Sequence, residues 1–281
     1  MTFALQVSES WMSTVPLSPR VDAGTVEAFQ QDGAAILRGV FADWIPSLRE
    51  GVDRVMAAPS ALERTYEPPG SVRFFQDLCN WQRIPAFSEF VMHSPAAGLA
   101  AALMRSRQAR FFHDHVLVKE PGTTVVTPWH QDLPYYCVGG TRSVSFWIPL
   151  DPVPRELCME CVAGSHAWKK IHKPKRFDGS DLYANDDRIA MPDIDAHRAD
   201  YRLLGWALEP GDAIAFNFAT IHGAPATAQA AGRRRVFSAR WVGDGAVFVN
   251  RQGKGSPPFA HLTLKDGAPF EGLDFPLVFS A

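Results

Sequence analysis

The chain is short of several things, and each shortage narrows the possibilities. It has four cysteines in 281 residues, Cys79, Cys137, Cys158 and Cys161. Cys158-Met159-Glu160-Cys161 has the C-x-x-C spacing, but no second such pair exists to complete a zinc site. A redox pair would open a helix in a thioredoxin-like unit, whereas this motif lies on or beside a strand. The cysteines are therefore read as reduced thiols, buried or half-buried. No apolar run is long enough to span a membrane. Charge of neither sign is in excess: the formal net charge is −2, which gives no general reason to expect nucleic acid or an anionic membrane as partner. Residues 1–10 lack the basic region and apolar core of a signal peptide, so a cytoplasmic location is expected.

A hydrophobic share of 46% and a charged share of 21% fit an ordinary globule. We read residues 1–281 as a single domain. Residues 1–20 look like an irregular arm. Residues 21–38 read as a helix followed by a strand, with Asp32-Gly33 as punctuation. Residues 42–56 form a second helix, with Trp44, Ile45, Leu48, Val52 and Val55 at helical spacing. Residues 95–104 form an Ala-rich third. From Phe111 the texture changes to short β-rich runs divided by Gly and Pro: residues 116–118, 123–126, 144–148, 213–218 and 236–242. Such a series predicts a sandwich or barrel. Leu208-Glu209-Pro210-Gly211-Asp212 fits a tight turn feeding the strand at 213. The tail, residues 253–258 and 269–276, reads as irregular wrapping. The expected fold is mainly β, a jelly roll with helices on one outer face, enclosing a ligand-sized cavity.

Residues 167–205 interrupt the β-rich region. They are polar, with Lys169, Lys170, Lys173, Lys175 and Arg176 followed by several aspartates. A long polar insertion between barrel strands reads as a lid. Its basic stretch permits an anionic substrate, although a solvated face is the plainer reading.

The most informative stretch is Thr127-Pro128-Trp129-His130-Gln131-Asp132. On an extended strand residues i and i+2 share a face, so His130 and Asp132 can chelate one metal. His222 is the leading candidate for a third ligand. Two His and a carboxylate form the facial triad of non-haem Fe(II) oxygenases, and imidazole with carboxylate suits Fe(II). The same set also makes catalytic zinc sites. The arginine cluster Arg233-Arg234-Arg235 tips the balance toward an enzyme that uses 2-oxoglutarate. On a strand, Arg234, Val236, Ser238 and Arg240 share one face, and Arg233, Arg235, Phe237, Ala239 and Trp241 share the other. The bulky second face suits packing against the helices. Arg234 is thus the inward guanidinium, able to pair bidentately with a carboxylate. Arg233 is the second choice.

With Val118-Lys119-Glu120-Pro121-Gly122, Ser145-Phe146-Trp147-Ile148-Pro149-Leu150, Gly164-Ser165-His166, Ile221-His222-Gly223 and Arg234-Arg235-Val236-Phe237-Ser238, in this order and spacing over about residues 22–260, the chain resembles the phytanoyl-CoA dioxygenase family. The resemblance implies a double-stranded β-helix (cupin-like), with Fe(II), 2-oxoglutarate and O2. It implies His130, Asp132 and His222 as iron ligands and Arg234 as the anchor for the far carboxylate of 2-oxoglutarate. It also implies Trp147 and His115 in the cosubstrate pocket, which Lys119 can share. One departure is Ala224, where some members carry Ser; Ser238 on the Arg234 face offers a hydroxyl instead. Related halogenases lack the ligand carboxylate, so the presence of Asp132 favours hydroxylation of a small-molecule substrate. The rival readings are a zinc hydrolase, a cupin-type isomerase and a non-catalytic ligand-binding barrel. His166 is expected to order a turn, His113 to be packed or partly exposed, and His93, His172, His197 and His261 to lie at the surface. Trp129, Tyr135 and Tyr136 are either substrate contacts or barrel wall. The sequence carries no signal of oligomeric state.

Overall fold

The computed structural model describes residues 21–176, 180–183, 186–227, 232–251 and 255–281. The N-terminal arm and parts of the insertion and tail expected from the sequence lie outside these residues. Among the described residues, α-helices are confined to residues 23–104: α1 (Ala23–Asp32), α2 (Ile45–Ala57), α3 (Pro85–His93) and α4 (Ala96–Met104). Asp22 caps α1, its carboxylate accepting from the Thr25 N–H at 2.7 Å. Gly33 ends it at φ +74°; a Cβ there would stand 2.5 Å from Thr220 Oγ1, so the close approach needs glycine. In α2, Ile45, Leu48, Val52 and Val55 are all buried, as their spacing requires.

The strands are β1 (Ala34–Leu37), β2 (Arg64–Tyr66), β3 (Phe74–Leu78), β4 (Gln108–Lys119), β5 (Thr127–His130), β6 (Val138–Gly139) and β7 (Ser143–Pro149). They continue with β8 (Glu160–Val162), β9 (Leu203–Leu204), β10 (Ala213–Phe216), β11 (His222–Ala224), β12 (Arg234–Val242), β13 (Val247–Phe248) and β14 (Leu277–Ser280). The main sheet runs β1-β10-β7-β12-β4-β3-β2, with β14 also on β4. A second sheet runs β5-β11-β8-β9, and every pairing in both is antiparallel. This is the expected jelly roll.

Strand parity sorts the core. On β12, Phe237, Ala239 and Trp241 face outward into the cluster that holds the helices, with Phe41, Phe87, Phe90 and Phe146. Phe87 lies 4.4 Å from Phe237 between ring centroids, and Trp241 lies 5.1 Å from Phe111. The inner face of the same sheet meets the second sheet: Trp147, Ile214, Phe216 and Val236 pack with Met159 and Cys161.

Several elements differ from the sequence reading. Residues 123–126 are not a strand; Thr123 closes a turn onto the Glu120 carbonyl, and strand structure starts at Thr127. Helix α3 and strands β2 and β3 went unread, because residues 61–94 are short segments without sustained periodicity. The tail itself, residues 255–258 and 270–276, is irregular as expected, and β14, beyond it, adds to β4.

Candidate metal centre and cavity

His222 on β11 stands directly opposite His130 on β5, so backbone pairing alone brings two imidazoles together. Their ring centroids are 4.2 Å apart. Asp132 joins them differently from the expectation. The strand stops at His130, and Asp132 adopts helical angles (φ −74°, ψ −37°) as it enters a short 3-10 turn. Its Oδ1 lies 3.7 Å from His130 Nε2 and 3.9 Å from His222 Nε2. One ligand atom from each of the three residues lies within 4.8 Å of the others. Among the described residues this is the one group of three or more His, Cys, Asp or Glu with such geometry.

The protonation states suit a cation. His130 Nδ1–H donates to the Pro128 carbonyl at 2.8 Å, and His222 Nδ1–H donates to the Thr220 carbonyl at 3.0 Å. A carbonyl only accepts, so each proton is held on Nδ1 and each Nε2 lone pair faces the shared point. Burial pushes both imidazoles toward neutrality, His222 to about 3. Burial alone would raise Asp132, but the Arg240 guanidinium, then His222 and His130, hold it well below the usual carboxylate range. Asp132 Oδ2 faces away from the imidazoles. Ser145 Oγ donates to it at 3.3 Å, and Arg240 Nε stands 3.4 Å away as a charge contact not aligned for a hydrogen bond.

The loop before His222 is tied down as well. Thr220 Oγ1 donates to the Gly33 carbonyl at 2.7 Å, and the Asn217 N–H donates to the same oxygen at 2.9 Å. The α1–β1 turn thereby fixes the carbonyl that orients His222.

One cavity is lined by all three of these residues and by Arg234, Trp147, His115 and Lys119. Register explains the arrangement. Across β12, Ser238 faces Trp147 on β7 and His115 on β4, Arg240 faces Ser145 and His113, and Arg234 faces Lys119. Arg234 is buried, donates to the Leu157 carbonyl at 2.7 Å and sits 5.7 Å from the Trp147 ring. Arg233 points elsewhere, with its Nε 2.8 Å from Glu120 Oε2, and Arg235 pairs with Asp151. Lys119 is fully enclosed; its Nζ donates to the carbonyls of Val125 (2.7 Å) and Pro225 (3.1 Å) over the Phe74 ring. Burial, and secondarily Arg234, pushes its pKa down to about 6. Burial likewise lowers Arg234, to about 10. Ala224 is on the cavity wall, as is Ser238, whose buried Oγ has no partner among the described residues.

Other expectations fared variously. His172 is not at the surface: it is buried, with Nδ1–H donating to the Ala190 carbonyl at 2.9 Å. His113 is buried in an aromatic cluster with Phe112 and Tyr136. His166 Nε2–H donates to the Gln30 carbonyl at 3.2 Å. Trp129, Tyr135 and Tyr136 line the cavity. Cys158 and Cys161 are free and buried.

Gln131 is a residue the sequence reading passed over. Its Nε2 donates to the carbonyls of Lys170 (3.0 Å) and Ala219 (2.9 Å), and its Oε1 accepts from the His172 N–H at 3.0 Å. It fastens the insertion to the strand end that carries His130 and to the loop that carries His222. Its place between two ligands was the only signal available.

Residues 29–236 match the family described as Phytanoyl-CoA dioxygenase (PhyH). The chain belongs to this family. Among curated proteins no match was found. Solved structures of similar fold include the non-heme alpha ketoglutarate dependent carbocyclase SnoK of nogalamycin biosynthesis, at 22% identity and TM-score 0.73 over 92% of this chain and 96% of SnoK. The epimerase SnoN, solved with Fe3+, alpha ketoglutarate and nogalamycin RO, is 22% identical at TM-score 0.69, covering 91% and 97% of the two chains. EvdO2 from Micromonospora carbonacea var. aurantiaca, complexed with 2-oxoglutarate, is 22% identical at TM-score 0.58, over 82% and 94%. Among the described residues, no helix is long and apolar enough to cross a membrane.

Proposed function

We propose that the protein is an Fe(II)- and 2-oxoglutarate-dependent dioxygenase that hydroxylates a C–H bond of a small organic molecule, releasing succinate and CO2. The observation that carries this reading is one cavity holding two neutral imidazoles and an ionised carboxylate together with a buried guanidinium. The donor set fits Fe(II). When bound, iron and 2-oxoglutarate supply the oxidising power drawn from O2. Family membership supports the same assignment.

In this reading His130, Asp132 and His222 hold the metal. Arg234 receives the far carboxylate of 2-oxoglutarate, Trp147 walls that subsite beneath the guanidinium, and Lys119 adds a second donor beside it. His115 stands further along the same wall; its Nε2–H donates to Gln76 Oε1 at 3.0 Å, so it acts as a fixed neutral surface. Ser145 and Arg240 keep Asp132 turned so that Oδ1 faces the metal. Because Asp132 is present, a halide has no vacated ligand position, and the reading is hydroxylation. The side chains bind, orient and exclude water, and no separate general acid or base is needed.

Asp132→Ala tests the assignment. We expect the purified variant to lose iron on desalting and to release no succinate from 2-oxoglutarate and O2, while its circular dichroism matches the parent. Retained iron and undiminished succinate release would sink it.

A further inference from the structure

The cavity carries more positive charge than the proposed reaction uses. Asp132 is the one carboxylate on the described wall. Lys119, Arg234 and Arg240 belong to the cosubstrate and metal subsites. Four more basic side chains line the same cavity: Arg64, Lys173, Lys175 and Arg176. They come from two distant parts of the chain. Arg64 opens β2 at the edge of the main sheet, and the other three belong to the insertion. Arg64 and Lys173 are half-buried, while Lys175 and Arg176 are exposed.

None of the four is neutralised by a carboxylate among the described residues. Arg64 Nη1 donates to Ser256 Oγ at 3.1 Å. Arg176 donates to the Ser180 hydroxyl and to the carbonyls of Asp181 and Leu182, all uncharged acceptors. Asp186 feels the charge of Lys173, but Arg188 holds it with Nε at 2.7 Å and Nη2 at 2.5 Å. The basic row is also fixed in place. Tyr135 donates its hydroxyl to the Lys175 carbonyl at 2.6 Å and accepts from the Lys175 N–H at 3.0 Å, tying the insertion to the turn after Asp132. Like charges converging on one concave wall focus an anion into it.

Two further features describe the rest of the ligand. Tyr66, Phe74, Trp129 and Tyr135 form largely apolar walls. Gln76, 3% exposed, gives its Oε1 to His115, while its Nε2 has no partner among the described residues. That leaves a buried donor waiting in the cavity wall.

We propose that the substrate is an oxyanion, a carboxylate or phosphate ester on a largely apolar body, with its charged end on Arg64 and Lys173 and an oxygen of its body on Gln76 Nε2. Lys175 and Arg176, more exposed, draw it in. The identity of the subsite's neighbour rests on the oxygenase reading, but the binding preference does not.

The test is calorimetric binding of benzoate, phenyl phosphate and the neutral benzamide to the full chain. Manganese and 2-oxoglutarate are present, so that the metal and Arg234 are already occupied. We expect both anions to bind at least about tenfold more tightly than benzamide, and a stronger response from phenyl phosphate if the natural group is a phosphate. Arg64→Ala with Lys173→Ala should remove the preference and leave benzamide binding unchanged. Arg64→Lys with Lys173→Arg should restore it. Equal binding of benzamide and benzoate, a preference that survives the double alanine variant, or no binding of any probe would overturn the inference. The colour of the anaerobic Fe(II) and 2-oxoglutarate complex is read on the same preparation. Colour without anion preference removes this inference and leaves the oxygenase standing; anion preference without colour does the reverse.

Discussion

Arg240 shows how a residue outside the cluster of His130, Asp132 and His222 can govern it. It is 5% exposed, sits 5.5 Å from the Tyr136 ring and supplies the largest force opposing burial at Asp132. Replacing it with Met leaves a buried carboxylate with less compensation, so the ligand atom is both less ionised and less fixed. We expect Arg240→Met to weaken iron binding by about 10- to 100-fold, measured by competition with a coloured chelator, while Arg240→Lys recovers part of the loss. Lys119 supplies a pH signature. Burial brings its ammonium to the point where it is lost as pH rises through about 6. The far carboxylate of 2-oxoglutarate favours the charged form, so binding above that pH takes up a proton and weakens as pH climbs. Calorimetry near neutral pH in two buffers of different ionisation enthalpy should register uptake of up to about one proton, and Lys119→Met should abolish it. Uptake unchanged in the variant would assign the proton elsewhere.

At the level of elements, the site depends on two short strands and the loops that end them. β5 and β11 carry His130 and His222, and neither strand exceeds four residues. Their stability is borrowed: from Gly33 through Thr220 on one side, and from Gln131 on the other. Gln131→Ala orphans two partly buried carbonyls and a buried N–H at once, the buried loss costing about 1–3 kcal/mol and the other two less. Hydrogen–deuterium exchange should then quicken at Lys170–His172 and at the loop before His222, with β12 unaffected. Uniform protection would show that the insertion is anchored elsewhere. This is also where sequence reasoning was strongest and weakest. The parity of Arg234 against Phe237 and Trp241 follows from the two-residue period of a strand, and β12 obeys it along its whole length. The same rule, applied to His130 and Asp132, expects them side by side, as they are, but by the wrong route. The strand ends between them, and a turn rather than alternation aims the carboxylate. Turn geometry and the reach of Gln131 depend on contacts with distant segments, which periodicity does not encode.

Over the whole molecule, the main sheet has two opposite jobs. Its outer face is covered by α1–α4 around Phe41, Phe87, Phe90 and Trp241, and its inner face walls the cavity. That division was legible from the change of texture near Phe111 and from the helix-spaced apolar residues before it. The β2–β3 edge was not, because its strands are only three and five residues long and show little periodicity of their own. That edge contributes Arg64, Tyr66, Phe74 and Gln76, so this one wall of the cavity was hidden from the sequence, while the His130, Asp132 and His222 cluster and the basic stretch of the insertion were visible in it.

The central claim is that one cavity holds Fe(II) on His130, Asp132 and His222 with 2-oxoglutarate reaching to Arg234. The most direct measurement is an anaerobic titration of the metal-free protein with Fe(II) and 2-oxoglutarate, followed by visible absorption. A charge-transfer band that saturates at one iron per chain, disappears in His222→Ala and demands far more 2-oxoglutarate in Arg234→Ala is the predicted result. A colourless wild-type protein under saturating 2-oxoglutarate, or a band indifferent to His222, would contradict it.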